Sequence, residues 1–319
     1  MKAELMPSNS NNQPTPLAAP PQPLSTILAQ TVKTGIIKSN LLPMLAGLTL
    51  ALYTYQIDLV GKLPVIVLAL IGSILVIGAA GTFNNLYDRD IDSVMARTKN
   101  RPTVTGAIKP VTVLWLGIVM AVLGLTALAF TTPLAAVLGF AGLFIYVVPY
   151  TMWSKRRTIY NTEIGSISGA MPPLIGWAAI YPDITHPAIL GLFVITVLWQ
   201  MPHFYAIAIR KHDDYKAANV PMLPVVKGVK RTYIQTNVYL VVLIAVSFLF
   251  GSLSIGIMLV ALLLSVAWLV LSVYGYKKME SEKWAKSMFI FSLIHMTLLF
   301  LTIIIYSLMG IFFGPFMPQ

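Results

Sequence analysis

Residues 63–92 read LPVIVLALIGSILVIGAAGTFNNLYDRDID. The first 25 of these positions carry no charge, and three aspartates then follow within five residues. An uncharged apolar run of roughly 20 residues is what a helix needs to cross a hydrocarbon layer about 30 Å thick. The acidic group therefore sits where such a helix would leave the lipid. The rest of the 319-residue chain follows suit: 57% of it is hydrophobic and 10% is charged. Soluble domains carry about a quarter of their residues as charges, so this chain has too little polar surface to coat a globule in water, and lipid is its solvent. The absence of cysteine excludes disulfides, thiolate metal sites, iron–sulfur clusters and cysteine nucleophiles.

Further spans appear on either side of this run. Apolar segments of crossing length cover 35–55, 63–84, 111–131, 133–151, 163–181, 187–209, 233–252, 254–275 and 287–312. The fold expected is all-α, a polytopic bundle of about nine transmembrane helices. Residues 1–30, rich in Pro, Ser, Asn and Gln, are expected to form a disordered tail, leaving 31–319 as the membrane domain. With the N-terminus in the cytoplasm, only Lys62 of the 22 Lys and Arg residues falls outside. This is the asymmetry of a cytoplasmic N-terminus in a cell (inner) membrane, and it accounts for the net charge of +11 without nucleic acid.

Five of the eleven acidic residues lie on that same inner face in two groups, Asp88, Asp90 and Asp92, then Asp213 and Asp214. Asn84, Asp88 and Asp92 stand four apart, so a continuing helix lines them up along one stripe. Such oxygen ligands suit Mg²⁺, which takes one or two carboxylates together with waters and substrate phosphates; the competing reading is a solvated acidic helix end. Asp90 points off the stripe, and an arginine partner is expected for it. Arg97 and Arg101 either hold diphosphate oxygens through their planar forks or simply set topology. Lys155 and Arg156 pose the same choice against snorkelling anchors. Farther on, His203, Arg210 and Asp214 share one face if the sixth span continues as a helix. His203 is either a hydrogen-bonded core residue or a contact to phosphate or to haem iron. Gly165, Gly169, Pro172, Pro173 and Gly176 mark the fifth span as kinked and closely packed. Two acidic groups on separate spans, facing each other, would bracket a diphosphate bridged by Mg²⁺ through Asp88, Asp92 and Asp214.

The run Phe83-Asn84-Asn85-Leu86-Tyr87-Asp88-Arg89-Asp90-Ile91-Asp92, with Met95, Arg97-Thr98 and Arg101-Pro102, resembles the UbiA superfamily of intramembrane prenyltransferases, in its haem O synthase branch. So do Trp199-Gln200-Met201-Pro202-His203-Phe204, Asp213-Asp214-Tyr215 and Pro221-Met222-Leu223-Pro224-Val225-Val226. The likeness runs from about residue 30 to the end. Two departures stand out: Asn85 replaces an acidic residue common in the superfamily's first motif, and His203 stands where the second usually begins with Asp. The resemblance implies a UbiA-like bundle that transfers the farnesyl group of farnesyl diphosphate to haem b, with Mg²⁺ as cofactor and diphosphate as leaving group. It implies roles for Asn84, Asp88, Asp92 and Lys155 in catalysis, for Arg97, Arg101, Arg156 and Arg210 in diphosphate binding, and for His203, Asp213 and Asp214 in the second motif. Tyr87, Tyr146, Tyr150 or Phe204 would face the developing allylic cation, unless they are interfacial belt residues. Haem A synthase or a terminal-oxidase assembly pathway would lie downstream. A transporter places its carboxylates near mid-membrane in broken helices, often with internal repeats, and neither feature is evident here. A non-catalytic haem carrier needs no paired acidic motifs. A prenyltransferase for an aromatic acid or quinone precursor shares the fold and is the nearest rival.

Overall fold

The computed structural model describes residues 22–314, which are helical and contain no strand. The helices are α1 (Leu24–Thr31), α2 (Thr34–Thr54), α3 (Leu63–Tyr87), α4 (Arg89–Val94), α5 (Pro102–Thr105), α6 (Pro110–Ala129) and α7 (Pro133–Ile145). A π-helical stretch, Tyr146–Ser154, carries α7 into α8 (Lys155–Arg157). There follow α9 (Asn161–Gly169), α10 (Met171–Ile180), α11 (Pro187–Arg210), α12 (His212–Ala217), α13 (Leu223–Ser247), α14 (Ile255–Lys278) and α15 (Ser281–Phe313).

Eight of these helices, with the α7–α8 stretch counted as one, are long and apolar enough to cross a membrane. The ninth expected span, 163–181, is the α9–α10 pair. It breaks at Ala170 (φ −98°, ψ 0°), just before Met171-Pro172-Pro173. Two consecutive prolines withhold two amide donors from the preceding turn, so a continuous helix cannot form there. Prolines open many of the other spans, at Pro64, Pro110, Pro133, Pro187 and Pro224. In a first helical turn the missing N–H has no intrahelical partner to lose. In α13 the chain takes a left-handed φ of 76° at Gly228, which strongly favours a residue without Cβ.

The spans form two four-helix groups bridged by α2. The first holds α3, α6, α7 and α9–α10, the second α11, α13, α14 and α15, and α2 packs against α10 on one side and α15 on the other. The α2–α10 contact is almost backbone to backbone: a Cβ on Gly47 would lie 2.0 Å from the Pro173 carbonyl oxygen, and one on Gly176 2.0 Å from that of Met44. Small residues at such a seam are how helices associate without a hydrophobic drive between them. Large apolar side chains face outward, among them Val122, Leu263, Val270 and Phe312. In water so continuous an apolar surface would aggregate; in lipid it is the natural exterior of a polytopic membrane protein.

Polar groups inside the bundle find one another. Glu163 on α9 accepts hydrogen bonds from Tyr205 on α11 (2.5 Å) and from Gln235 (2.9 Å) and Tyr239 (3.2 Å) on α13, a clasp between the two groups. One expectation requires correction. Residues 24–31 are helical, not part of a disordered tail; the Asn85 amide fastens the end of α1 by donating to the carbonyls of Gln30 (3.0 Å) and Thr31 (2.9 Å). Residues 1–21 of the expected tail lie outside the described residues.

Candidate functional site

The α3 helix delivers the first acidic group. Its last turn ends at Asp88, whose backbone (φ −83°, ψ 9°) interrupts the helix before α4 begins. The interruption is slight: the Asp92 amide still donates to the Asp88 carbonyl at 2.8 Å, so Asn84, Asp88 and Asp92 keep their common stripe. All three are buried, with Asp88 fully inaccessible. The Asn84 amide donates to Asp88 (2.8 Å) and to the Thr151 hydroxyl (2.9 Å).

Thr151 reaches Asn84 because of the π-helical stretch. Pro149 lies inside it, and a proline there withholds an amide from the i−4 ladder. The widened turn is the kind of distortion often found at functional sites. It turns Tyr146, Tyr150, Thr151 and Lys155 along the bundle's charged end. Lys155 binds Asp88 directly, and Arg156 reaches the same carboxylate at 3.5 Å while forming a two-pronged pair with Asp90 (2.5 and 2.7 Å). Asp90 thus has the arginine partner expected for it, and that pairing holds its carboxyl below the usual range. Arg101 pairs with Asp92 at 2.5 Å. It is aimed there by Pro102, which forces the preceding residue into extended backbone (φ −64°, ψ 144°).

Lys33 was not among the site residues read from the sequence, where it counted only toward topology. It sits between α1 and α2 with a left-handed φ of 57° and donates to the Asn84 side-chain oxygen. Desolvation, and after it the nearby charges of Arg101 and Lys155, bring its pKa down to about 7 against the pull of Asp88 and Asp92. The Asn85 departure now has a physical account. Its amide must donate to the end of α1, the segment that leads into Lys33, and a carboxylate at that position could only repel those carbonyls.

The second group does not assemble as expected. The sixth span stops at Arg210, and Lys211 (φ −119°, ψ 28°) departs further from helical backbone than Asp88 does, so His203, Arg210 and Asp214 are not on one regular helix, although the Tyr215 amide still donates to the Lys211 carbonyl at 3.1 Å. Arg210 lies over the Phe289 ring of α15, 5.1 Å from its centroid, and pairs with none of the first-cluster aspartates. Asp213 is fully exposed and, among the described residues, its side chain pairs with His212 at 3.0 Å. Asp214 accepts the Ala96 amide at 2.9 Å, tying the loop after α4 to α12. Arg97 stacks on Tyr215 of α12 at 5.6 Å, at the rim. Asp88, Asp92 and Asp214 are therefore not a preformed trio of ligands, and no group of three metal-binding side chains occurs among the described residues. Of the aromatics, Tyr87 is covered by Arg156 (4.7 Å) and bonds the Met152 carbonyl. Tyr146 and Tyr150 lie 5.4 Å apart beside the cluster. Phe204 is exposed toward lipid.

Tyr146 also lines an apolar groove between α2, α3, α7 and α10, past Gly81, Gly142, Leu143, Met171 and Ile175. A row of buried oxygen ligands framed by cations, at the end of the same α3 helix that lines an apolar groove, suits a molecule with an anionic head and a hydrocarbon tail.

The sequence profile of the UbiA prenyltransferase family matches residues 40–301. The chain is 79% identical over 288 residues to protoheme IX farnesyltransferase 1 of Bacillus cytotoxicus, covering 90% of this chain and 94% of that one. It is 63% identical to protoheme IX farnesyltransferase 2 of Lysinibacillus sphaericus, covering 96% and 98%. Among solved structures the fold is similar to a digeranylgeranylglyceryl phosphate synthase (TM-score 0.71, 16% identity, 89% of this chain and 98% of that one). It is also similar to a UbiA homologue of Archaeoglobus fulgidus bound to DMAPP and Mg²⁺ (TM-score 0.64, 17% identity, 87% and 98%). The chain belongs to the UbiA prenyltransferase family, in its protoheme IX farnesyltransferase branch.

Proposed function

We propose that the protein transfers the farnesyl group of farnesyl diphosphate to a vinyl group of haem b, with addition of water, and that the Asn84–Asp88–Asp92 row is where the diphosphate is held. The observation that carries this reading is the burial of that row within reach of Lys33, Lys155 and Arg101. Breaking the allylic C–O bond builds negative charge on the departing diphosphate, and donors already in place for that charge lower the barrier. Lys155 and Arg101 would turn from their aspartates toward the phosphate oxygens, and Arg97 would close from the rim. Arg156 holds the Asp90 end of the loop in place.

The donor set fits Mg²⁺ of one kind only. Two carboxylates and an amide oxygen are too few for a protein cage, yet they suit an ion that completes its shell with waters and phosphate oxygens. Asp88 and Asp92 would hold it, with Asp214 at most an outer partner. When bound it supplies Lewis-acid stabilisation of the leaving group. The farnesyl tail would occupy the groove past Tyr146, and the Tyr146 and Tyr150 ring faces would stabilise the allylic cation. Attack by the vinyl group moves the positive charge to the carbon beside the porphyrin, where water captures it and releases a proton. The distribution of Lys and Arg supports a site on the cytoplasmic face of the cell membrane.

The test is incubation of the purified protein with haem b, farnesyl diphosphate and Mg²⁺, followed by haem extraction and chromatography, with Asp88→Ala alongside. A more hydrophobic haem made only by the wild type supports the reading. No new haem from folded wild-type protein overturns it.

A further inference from the structure

We infer that His203 is an axial ligand for the iron of the porphyrin substrate, and that Arg210 receives a porphyrin carboxylate. The inference rests on haem b as the acceptor proposed above. It begins with the single hydroxyl proton of Ser292 on α15. The shorter contact of the Ser292 hydroxyl is to the Phe289 carbonyl at 2.5 Å; with its proton spent there, the Ser292 oxygen is placed to accept from the His203 ring nitrogen Nδ1, 2.7 Å away, in the tautomer protonated at Nδ1. A neutral imidazole carries one proton. With Nδ1 donating, Nε2 keeps its lone pair, and among the described residues no hydrogen bond reaches it. A fixed proton on one nitrogen with a free lone pair on the other is the arrangement of a metal-binding histidine oriented by its outer partner.

The surroundings are those of a built position. His203 stacks on Trp199 (4.6 Å, 22°), and Trp199 itself donates to the Ser292 carbonyl at 2.9 Å. Phe289 and Phe204 pack on the ring at 5.2 and 5.1 Å. Phe204 is 39% exposed, an apolar face beside the ring against which a flat macrocycle can lie. Phe289 is shared, since the Arg210 guanidinium lies 5.1 Å from its centroid. Arg210 thus stands near His203 but seven residues, about 10 Å, closer to the charged end of the bundle. A porphyrin with its iron at His203 and its two carboxylates toward the membrane surface would present those acids to Arg210. The other histidines lack the combination. His295 is 1% exposed with Nε2 tied to Ser265, His186 uses Nδ1 to cap α11 at the opposite end of the bundle, and His212 contacts Asp213 at the surface.

The experiment is titration of haem b into the detergent-solubilised full-length protein, read by absorption and, for the ferrous form, by the iron–imidazole stretch in resonance Raman. The wild type is expected to show that stretch. His203→Gly should lose it and regain it on addition of imidazole, which separates ligand loss from misfolding. Ser292→Ala should keep the stretch but weaken haem binding at least tenfold, and Arg210→Gln should weaken it about tenfold with the stretch unchanged. An unaltered stretch in His203→Gly, or haem binding by the wild type without one, overturns the ligand assignment while leaving the transferase reading intact. Failure of the wild type to bind haem overturns both.

Discussion

The two acidic groups of this chain begin alike and end differently. Each follows the C-terminal end of a long apolar helix, and each has at least two carboxylates within five residues. At the end of α3 the carboxylates at positions 88 and 92 are buried and paired with Lys155 and Arg101, on a stripe continued by Asn84. At the end of α11 the helix breaks at Lys211, Asp213 turns to water and Asp214 ties the loop after α4 to α12. The first group has three aspartates spaced two apart and the second two adjacent ones, but surroundings separate them further. A carboxylate becomes a site when burial makes its charge expensive to isolate and neighbouring cations make that charge useful.

If that distinction holds, substitutions should separate the two groups. The largest effect is expected for Asp88→Ala, a fall in farnesyl transfer of about 10²- to 10³-fold, the size seen when one preorganised partner of a reaction's developing charge is removed. Next is Lys33→Met, expected to lower kcat/KM for farnesyl diphosphate about tenfold, the loss of one charge-assisted contact. Burial brings the Lys33 pKa down to about 7 in the free site, and Lys33 would meet the diphosphate as a cation. Wild-type kcat/KM should therefore fall as pH rises through about 7. Lys33→Arg, which stays charged, should lack that limb. A pH profile identical in the two proteins would remove Lys33 from the site.

A smaller effect is expected at Asn85. Asn85→Asp deletes the donor to Gln30 and Thr31 and sets a negative charge against their carbonyls. It should destabilise the α1 junction by about 1–3 kcal/mol, seen as a lower thermal midpoint, with activity reduced through displaced Lys33. The smallest belongs to the second group: Asp213→Asn should change transfer by less than about twofold, as exposed substitutions generally do. A large loss at Asp213 would mean that α12 folds inward on substrate binding.

Most of the architecture was legible because eight of the spans are long apolar runs. The expected spans 187–209 and 254–275 fall within a few residues of α11 and α14. The first cluster was legible too, since a four-residue spacing fixes a helical stripe whatever surrounds it. Lys33 was not, because its relation to Asn84 is set 51 residues away by a left-handed turn and by Asn85, and local pattern carries no trace of such a contact. Thr151 was hidden for a related reason: Pro149 in the sequence warns of a distortion, but not that the outcome is a π-helix turned toward α3. The second group was misjudged because its stripe assumed that the helix continues through Lys211. No Pro or Gly stands at that point to announce the break.

The central claim is that the first cluster alone holds the diphosphate. It is tested most directly by equilibrium binding of a non-reactive thio-analogue of farnesyl diphosphate, with and without Mg²⁺, to wild type, Asp88→Asn and Asp213→Asn. The expected result is Mg²⁺-enhanced binding in wild type and Asp213→Asn, and loss of that enhancement in Asp88→Asn. Equal loss in both variants, or none in Asp88→Asn, would contradict it.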